Sequence, residues 1–516
     1  MMDLPSSSIS QKLIRNTIFN SIGRVWTIFV GLLLTPYIIS KLGIQRFGAW
    51  SLILAMTNCL GLLDLGMRYS FVKYVSEYYT KKDYRAINNV INMGLFFYLV
   101  LTIAAIILVS ILGDFVLQSL QIPLRIQREA RFVLQMTTAT FFLSNMFGVF
   151  RAVIAGLQRM DITNMISIAA SIANIISTVV FLELGCGLKG LAFSSAIVLM
   201  LTAPLLTIYS LRCLPQLRWD LRFLKMKTLQ KLVKYGIKVQ VSRLAELATL
   251  QIDKIALGYF GTPSLVAFYE VGSRAVHAGK SLILMGAIVP AAAELEAKKD
   301  LGSLQQLYLR ASKYLVLVAA PLMLFIASSA SLLIQLWLGT GYEKSVLVVQ
   351  TLAIGHFIHL LTGVGTTIAK GIGKPEYEMR YALLLLLMNA VLAVILIAKL
   401  GFSGALIATP LSLIASSLYF MRTFHKLLCI PLIQFMREMY LKPMMGCVVA
   451  GLAVYNLVYL AGRFIPPWNR LTSLTALGLG GIVFLGIYLG IILKSGYLDS
   501  YDRKILSSIR RAILTV

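Results

Sequence analysis

The chain has 516 residues, of which 58% are hydrophobic and only 13% are charged, and its mean hydropathy is +0.81. Soluble domains are closer to half apolar and a quarter charged. Apolar runs recur from residue 16 to residue 493, so no stretch is long enough for a separate soluble domain. The composition therefore predicts an all-α polytopic membrane protein.

The net charge of +27 comes from short Lys and Arg clusters that lie between the apolar runs. A nucleic-acid-binding protein would concentrate these residues on one soluble face or tail. The observed distribution follows the positive-inside rule of membrane proteins, so no nucleic-acid partner is expected. The five cysteines show no paired spacing and predict neither a disulfide framework nor a metal site.

The apolar runs predict roughly 14 membrane spans, at about 20 residues for each crossing. They cover residues 16–40, 47–69, 92–112, 131–153, 163–183, 188–210, 235–259, 265–290, 314–338, 345–371, 380–399, 402–422, 442–462 and 471–493. The first run contains Arg24 and is too long for a cleaved signal peptide, so it is interpreted as a span. Roughly 32 basic residues lie in the termini and alternate loops, against about 10 in the other loops, which predicts cytoplasmic termini.

Two halves of the chain resemble each other. KLGIQRFGAW (41–50) has a counterpart in YFGTPSLVAF (259–268), and KYVSEYYTKKDYRAI (73–87) has one in PAAAELEAKKDLGSL (290–304). AGLQRMDITNM (155–165) likewise matches AKGIGKPEYEM (369–379). Because each half holds six spans, the repeats are predicted to be parallel.

The repeat predicts four segments along the chain. Residues 1–210 form an N-terminal six-helix lobe, and residues 211–234 form a basic cytoplasmic connector. Residues 235–425 form a second six-helix lobe, and residues 426–516 hold two additional helices and a basic tail. Leucines recur near helical spacing in the connector, which leaves open an amphipathic helix on the inner leaflet or a solvated linker.

Three predicted spans carry polar residues at helical spacing. The stripes contain Asn16, Asn20, Arg24, Thr27 and Gly31 in the first span; Lys238, Ser242, Glu246, Thr249 and Asp253, with Arg243 beside them, in the seventh; and Glu270, Arg274, His277 and Ser281, with Lys280 at the edge, in the eighth. Ionisable residues inside a membrane are costly and suggest function. The stripes are interpreted as lining a cavity between the two halves; intramembrane ion pairs, such as Glu270 with Arg274, are the alternative.

The residue types of the stripes suggest two roles. Arginine presents a planar fork of donors that matches phosphate oxygens, so cations in a cavity suit a phosphate-bearing substrate. The predicted substrate-binding residues are Arg24, Arg274, Arg243, Lys280 and Asn20. The carboxylates Glu246, Asp253 and Glu270 are the candidates for binding a coupling proton or Na⁺.

Two motifs suggest other chemistry and are set aside. HAGKSLIL (277–284) contains the Gly-Lys-Ser of a phosphate-binding loop, but Arg274 stands where that motif begins with glycine, and no strand precedes it. His356 and His359 share a helical face without a Cys, Asp or Glu nearby in sequence, which favours an interior pair over a metal site. Neither catalytic residues nor cofactors are predicted.

The sequence NTIFNSIGRVWTIFVGLLLTPYIISKLGIQRFGAWSLI, followed by LLDLGMRYSFVKYVSEY, resembles the start of polysaccharide-biosynthesis transporters. These are the O-antigen and exopolysaccharide flippases of the multidrug/oligosaccharidyl-lipid/polysaccharide exporter superfamily. The resemblance covers roughly residues 10–425. It implies two six-helix lobes like those of multidrug exporters and lipid II flippases, which alternate between inward- and outward-open states in a bacterial inner membrane.

The resemblance also implies a substrate, an undecaprenyl-diphosphate-linked oligosaccharide, and partners such as a polysaccharide polymerase and chain-length proteins. The protein is expected to be a monomer. Lipid II flippases place essential arginines in their first and eighth spans, which here correspond to Arg24 and Arg274. They carry another arginine in the second span, whereas residues 47–67 of this chain contain no Lys or Arg. The difference argues for a polysaccharide repeat unit over lipid II.

Two alternatives remain open from the sequence. One is a cation-coupled drug exporter of the same superfamily, which would be expected to have an apolar, acidic cavity. The other is a multi-span enzyme acting on lipid-linked sugars, which would be expected to have a sizeable extramembrane loop with catalytic residues. Lipid II flippases use their last two spans to form a groove for the lipid tail, and the resemblance implies the same role for residues 442–493.

Overall fold

The computed structural model describes residues 28–283, 288–464 and 469–500, together with Trp26 and Asp502. Contacts divide the chain into two compact units, Met1–Glu270 (unit 1) and Val271–Val516 (unit 2). In the described parts of both units the regular structure is helical.

The helices are numbered α1 to α19 in chain order. The first nine are α1 (Ile28–Leu42), α2 (Ile44–Leu60), α3 (Met67–Thr80), α4 (Tyr84–Ser119), α5 (Leu124–Gly156), α6 (Met160–Glu183), α7 (Gly187–Cys213), α8 (Met226–Phe260) and α9 (Pro263–Ser281). The others are α10 (Ile288–Ala297), α11 (Leu301–Ser328), α12 (Ala330–Leu338), α13 (Glu343–Leu361), α14 (Gly363–Gly371), α15 (Glu376–Leu400), α16 (Phe402–Leu427), α17 (Leu432–Met439), α18 (Leu441–Phe464) and α19 (Arg470–Lys494).

Ten helices in the described residues are long and apolar enough to cross a membrane, and shorter apolar helices cover Ile28–Leu42 and Leu441–Leu457. The two remaining predicted spans lie on α8 and α9, which carry the polar stripes and are therefore less apolar. Where the structure describes them, the predicted spans lie on helices, and the prediction of a polytopic all-α membrane protein is confirmed. The backbone explains why: in lipid, a helix satisfies its own amide and carbonyl groups.

The sequence repeat is also a repeat of local structure. In both copies of the Lys-Lys-Asp motif, the second lysine ends a helix in the left-handed region, with φ of 56° and 54°. The aspartate then caps the next helix: Asp83 accepts a hydrogen bond from the Ala86 amide, and Asp300 accepts one from the Ser303 amide, both at 2.9 Å. Aspartate is a favoured N-cap because its carboxylate satisfies an amide that has no partner in the helix.

A second repeated feature is a side-chain hydrogen bond between neighbouring helices, which joins α6 to α7 and α15 to α16. Ser194 on α7 donates a hydrogen bond to the side-chain oxygen of Asn174 on α6, at 3.1 Å. At the positions related by the repeat, Asn389 on α15 donates to the hydroxyl of Thr409 on α16, at 3.2 Å. Polar side chains in a membrane protein stabilise helix contacts in this way.

Two asparagines on α4 hold the basic connector. Asn88 donates to the Gln216 carbonyl at 3.0 Å and accepts from the Arg218 amide at 2.8 Å. One turn later, Asn92 donates to the Arg218 carbonyl at 2.8 Å and accepts from the Asp220 amide at 3.2 Å. These side chains satisfy backbone groups of the connector, and residues 217–220 have no regular secondary structure. Of the two alternatives that the sequence left open, residues 214–220 form neither an amphipathic helix nor a free linker, because they are not helical and are bound to α4.

We expect Asn88→Ala and Asn92→Ala each to lower the free energy of unfolding by about 1–3 kcal/mol, because buried connector groups lose their partners. Thermal unfolding of the purified protein and the rate of proteolysis within residues 214–225 would measure the effect. Asn456→Ala, at an exposed position of α18, is the matched control. Unchanged proteolysis in both connector variants would contradict the role of these side chains.

Candidate transport site

The predicted site residues divide into described and undescribed groups. Asn20 and Arg24 lie outside the described residues, and so do the side chains of Arg243 and Glu246, although the backbone of α8 is described. Asp253, Glu270, Arg274 and Lys280 are described. The geometry that follows therefore concerns the second half of α8, helix α9, and the helices that pack on α9 within each unit.

Helices α8 and α9 form a hairpin with a two-residue turn at Gly261 and Thr262, and α9 begins with a proline. Proline suits the first helical position because its missing N–H would have no partner there. The start of α9 lies against α2: a Cβ added to Gly48 would be 1.7 Å from the Pro263 carbonyl oxygen. Only glycine permits this approach. Gly48 of the repeated KLGIQRFGAW motif therefore allows α2 to pack closely against the start of α9.

Two polar contacts join the arms of this hairpin within unit 1. The Tyr269 hydroxyl donates a hydrogen bond to Asp253 at 2.6 Å, and Asp253 is 2% exposed. The next residue on each arm forms an ion pair, with 2.9 Å between Lys254 Nζ and Glu270 Oε2. The side chains of the pair are 13% and 12% exposed. Two of the three predicted coupling-ion carboxylates are thus buried and bound by other side chains.

Sequence reasoning missed Lys254. It singled out Asp253 and gave Glu270 an alternative partner on its own helix, whereas the structure pairs Glu270 with the lysine on the preceding helix. The signal that could have found this partner is the short turn. On each arm of a helical hairpin, a residue about two helical turns from the tight turn can face the other arm, and Lys254 and Glu270 each lie eight positions from Thr262.

In unit 2, α9 contributes to a cluster of histidines. The His277 ring lies 4.8 Å from the His356 ring, and His356 lies 6.1 Å from His359, as measured between ring centroids. His359 forms a hydrogen bond through Nδ1 with the Tyr381 hydroxyl of α15. Lys280 interacts electrostatically with both histidines of α13. The predicted interior pair is therefore part of a larger group, which we call the histidine cluster (His277, Lys280, His356 and His359).

A cavity of about 390 Å³ opens within unit 1. Helices α2, α5, α6 and α7 line it with hydroxyl and amide groups, and its lining residues include no carboxylate, lysine or arginine. Prominent polar lining residues are Thr57, Asn58, Thr140, Ser171, Asn174 and Thr202. Neutral donors and acceptors of this kind suit a ligand rich in hydroxyl groups. Hydropathy could not reveal this cavity, because single Ser, Thr and Asn residues on four helices hardly change it.

Many apolar spans and polar side chains buried between helices define a multi-pass membrane protein. Residues 13–296 match the sequence profile of the polysaccharide biosynthesis protein family, and the chain belongs to this family. That confirms the resemblance seen in the sequence. Relatives that cover most of the chain are described as transporters or flippases and not as enzymes.

Two relatives cover most of the chain. A protein described as an O-antigen transporter of Shigella flexneri is 20% identical over 421 residues, which are 79% of this chain and 96% of the relative. A protein described as the flippase AglR of Haloferax volcanii is 24% identical over 437 residues, which are 80% of this chain and 84% of the relative.

Two solved structures share the fold. Lipid II flippase MurJ in an inward closed conformation has a TM-score of 0.71 and 14% identity, and covers 93% of this chain and 99% of that one. An inward-facing multidrug resistance MATE family transporter of the MOP superfamily has a TM-score of 0.70 and 16% identity, with coverage of 79% and 94%. These likenesses show that the chain shares the fold of MATE transporters and MurJ, which the resemblance in the sequence implied.

Proposed function

We propose that this protein is a flippase that moves a polyprenyl-diphosphate-linked oligosaccharide from the cytoplasmic to the outer leaflet by alternating access. The observation that carries the proposal is membership of the polysaccharide biosynthesis protein family, supported by relatives described as an O-antigen transporter and a flippase. The substrate joins a charged diphosphate, a hydroxyl-rich sugar and an apolar tail, and each part needs a different surface.

The cations of the predicted site are assigned to the diphosphate. Arg24 and Arg274 bind it, assisted by Arg243, Lys280 and Asn20, because a guanidinium donates two parallel hydrogen bonds to phosphate oxygens. Arg274 and Lys280 lie six positions apart on α9, and both are partly exposed. The sugar binds in the hydroxyl-lined cavity of unit 1, since neutral donors and acceptors match the hydroxyl groups of a sugar.

No covalent chemistry is required for this transport. A conformational equilibrium moves the substrate when the substrate and a coupling ion bind the two states with different affinities. We assign the coupling to a proton or Na⁺ gradient, with Glu246, Asp253 and Glu270 as candidate carboxylates. The contacts of Asp253 with Tyr269 and of Glu270 with Lys254 support a specific form of this step, in which ion binding breaks one of them.

The proposed setting is the inner membrane of a bacterium, with both termini in the cytoplasm. The basic connector, held on α4, would then also lie on the cytoplasmic side, where positive loops are favoured. The protein acts as a monomer, and its product is consumed by a polymerase working with chain-length proteins on the outer face.

Reconstitution in lipid vesicles tests the function directly. A fluorescent polyprenyl-diphosphate sugar is expected to cross between leaflets only in vesicles that contain the protein, and faster when a proton or Na⁺ gradient is imposed. Quenching by a reagent confined to the outside reports the crossing. Equal crossing in protein-free vesicles would contradict the proposal, and drug resistance conferred on cells without any effect on the lipid would support a drug exporter instead.

A further inference from the structure

An apolar groove of about 780 Å³ lies on unit 1, beside the connector. Helices α4, α5 and α7 form its walls, and the connector adds Trp219 and Leu224. On α4, the lining residues Leu95, Phe96 and Leu99 recur at helical spacing and so share one face. The volume falls within the range of roughly 300–1,000 Å³ that is usual for ligand pockets. We call this feature the connector groove.

The polar groups that line the connector groove are already bound within the protein. Asn92 is bonded to the connector backbone, and the Thr207 hydroxyl donates to the Ala203 carbonyl at 2.9 Å. The Asp220 carboxylate accepts a hydrogen bond from the Arg222 amide, also at 2.9 Å. A polar ligand would lose its bonds to water here and gain few in return, which is costly. The groove therefore suits a hydrocarbon chain, unlike the hydroxyl-lined cavity of the same unit.

The connector groove opens onto an apolar surface of α4. Phe96 and Leu99 are 44% and 46% exposed, and Ile103 and Ile107, one and two turns beyond Leu99 on the same face, are more exposed still. Exposed apolar side chains on a membrane-spanning helix lie against lipid. Trp219 is 61% exposed, and tryptophan favours the boundary between lipid and water. A lipid can therefore enter the groove from the bilayer and keep its headgroup beside the connector.

The connector is cationic where it borders the groove. Residues 218–227 contain four basic residues and one acidic residue, namely Arg218, Arg222, Lys225, Lys227 and Asp220. Asp220 is paired with Arg222, at 3.9 Å between Oδ2 and Nε. Arg218 and Lys225 are exposed, and in sequence they adjoin the lining residues Trp219 and Leu224. Basic segments beside membrane helices attract anionic lipids, and basic pockets between helices bind anionic headgroups.

We propose that the connector groove binds a phospholipid with an anionic headgroup, its acyl chain lying between α4, α5 and α7 and its headgroup at Arg218 and Lys225. The chain exchanges one apolar environment for another, because lipid tails are as apolar as the side chains of the groove. The headgroup therefore decides which lipid is bound, and each cation beside it favours an anionic lipid by about fivefold. The inference does not depend on which substrate the protein transports.

Quenching of Trp219 by brominated lipids tests the inference. The full-length protein is reconstituted in equal mixtures of phosphatidylglycerol and phosphatidylethanolamine, in which only one of the two lipids carries bromine on its acyl chains. Both membranes have the same charge, so a difference in quenching reports which lipid contacts the tryptophan. The protein has five tryptophans, and the contribution of Trp219 is the difference between each protein and its Trp219→Phe form. We expect phosphatidylglycerol to occupy the site beside Trp219 at least about fivefold more often than phosphatidylethanolamine.

Two charge variants test the headgroup contact. Arg218→Gln/Lys225→Gln should remove most of the preference for phosphatidylglycerol, because it removes the cations that adjoin the groove. Lys298→Gln/Lys299→Gln removes two exposed lysines between α10 and α11 of unit 2, and this matched control should keep the preference.

Two threonine variants test the position of the acyl chain. Thr207→Phe places a larger side chain in the groove and should reduce the quenching of Trp219 by brominated phosphatidylglycerol. Thr423→Phe on α16 is its control and should leave the quenching unchanged. The two threonines are matched because each hydroxyl donates to a backbone carbonyl one turn earlier, at 2.9 and 3.0 Å.

Each outcome decides for or against the proposed lipid. Equal quenching of Trp219 in the two membranes overturns the preference for an anionic headgroup. A preference that survives Arg218→Gln/Lys225→Gln, or full quenching in folded Thr207→Phe, overturns the proposed location. If undecaprenyl phosphate at a low mole fraction abolishes the quenching, the groove holds a polyprenyl carrier and the phospholipid assignment is wrong. A preference that is lost in the connector variant and kept in both controls supports the inference.

Discussion

Alanine in place of Arg274 is expected to reduce export of the surface polysaccharide at least about 30-fold, with no loss of the protein from the membrane. The reason is that removing a charged partner of a bound phosphate costs about 2 kcal/mol or more, and every 1.4 kcal/mol is a factor of ten. Arg24→Ala should have the same effect, because we assign both arginines to one diphosphate. Polymer at the cell surface, relative to the amount of transporter in the membrane, measures the result.

Two further variants make this experiment specific. Arg274→Lys keeps the charge and loses the planar fork, so it should restore only part of the export. Arg437→Ala removes an arginine from an exposed position of α17 and should leave export unchanged. Normal polymer levels in both Arg24→Ala and Arg274→Ala would show that these arginines do not bind the substrate.

Glutamine in place of Glu270 is expected to lower the free energy of unfolding by about 3–5 kcal/mol, because it leaves Lys254 buried without its carboxylate. The ion pair is 2.9 Å long, and both side chains are almost fully enclosed. The loss should appear as a lower unfolding temperature of the purified protein. Glu294→Gln breaks an exposed pair on α10 and is the control, with little expected change.

The double variant Lys254→Met/Glu270→Leu separates a structural role from a coupling role. Replacing both members of a buried pair with apolar residues of similar size often preserves stability. We therefore expect the double variant to recover most of the stability lost in Glu270→Gln. If it is stable but no longer accelerated by an ion gradient, Glu270 takes part in coupling. A Glu270→Gln protein as stable as the wild type would contradict the structural role.

Several elements were accessible from the sequence because their causes are local. The predicted spans lie on helices since long apolar segments in lipid have few other ways to satisfy their backbone. The Lys-Lys-Asp repeat marked two equivalent helix junctions, and in the structure Asp83 and Asp300 cap the following helices in the same way. A capping residue acts within one turn of the helix, so its effect can be predicted from a few adjacent residues of the sequence.

The connector shows where local reasoning was insufficient. Its leucine spacing allowed a helix, but Asn88 and Asn92 on α4 bind the backbone of residues 216–220, which is not helical. These asparagines lie more than a hundred residues away in sequence, so the spacing within the connector contained no sign of them. Side-chain groups that compete for backbone donors and acceptors can override a local helical preference.

The sequence by itself determined that the protein crosses the membrane many times, that short motifs of its first half recur in its second half, and that ionisable residues lie within its eighth predicted span. These properties depend on hydropathy, charge and short motifs. Only the tertiary structure decided that Lys254 is the partner of Glu270, that His277 joins His356 and His359, and that hydroxyl groups of four helices share one cavity. The physical reason is that the partner of a buried polar group depends on how helices pack, and hydropathy along one chain does not contain that information.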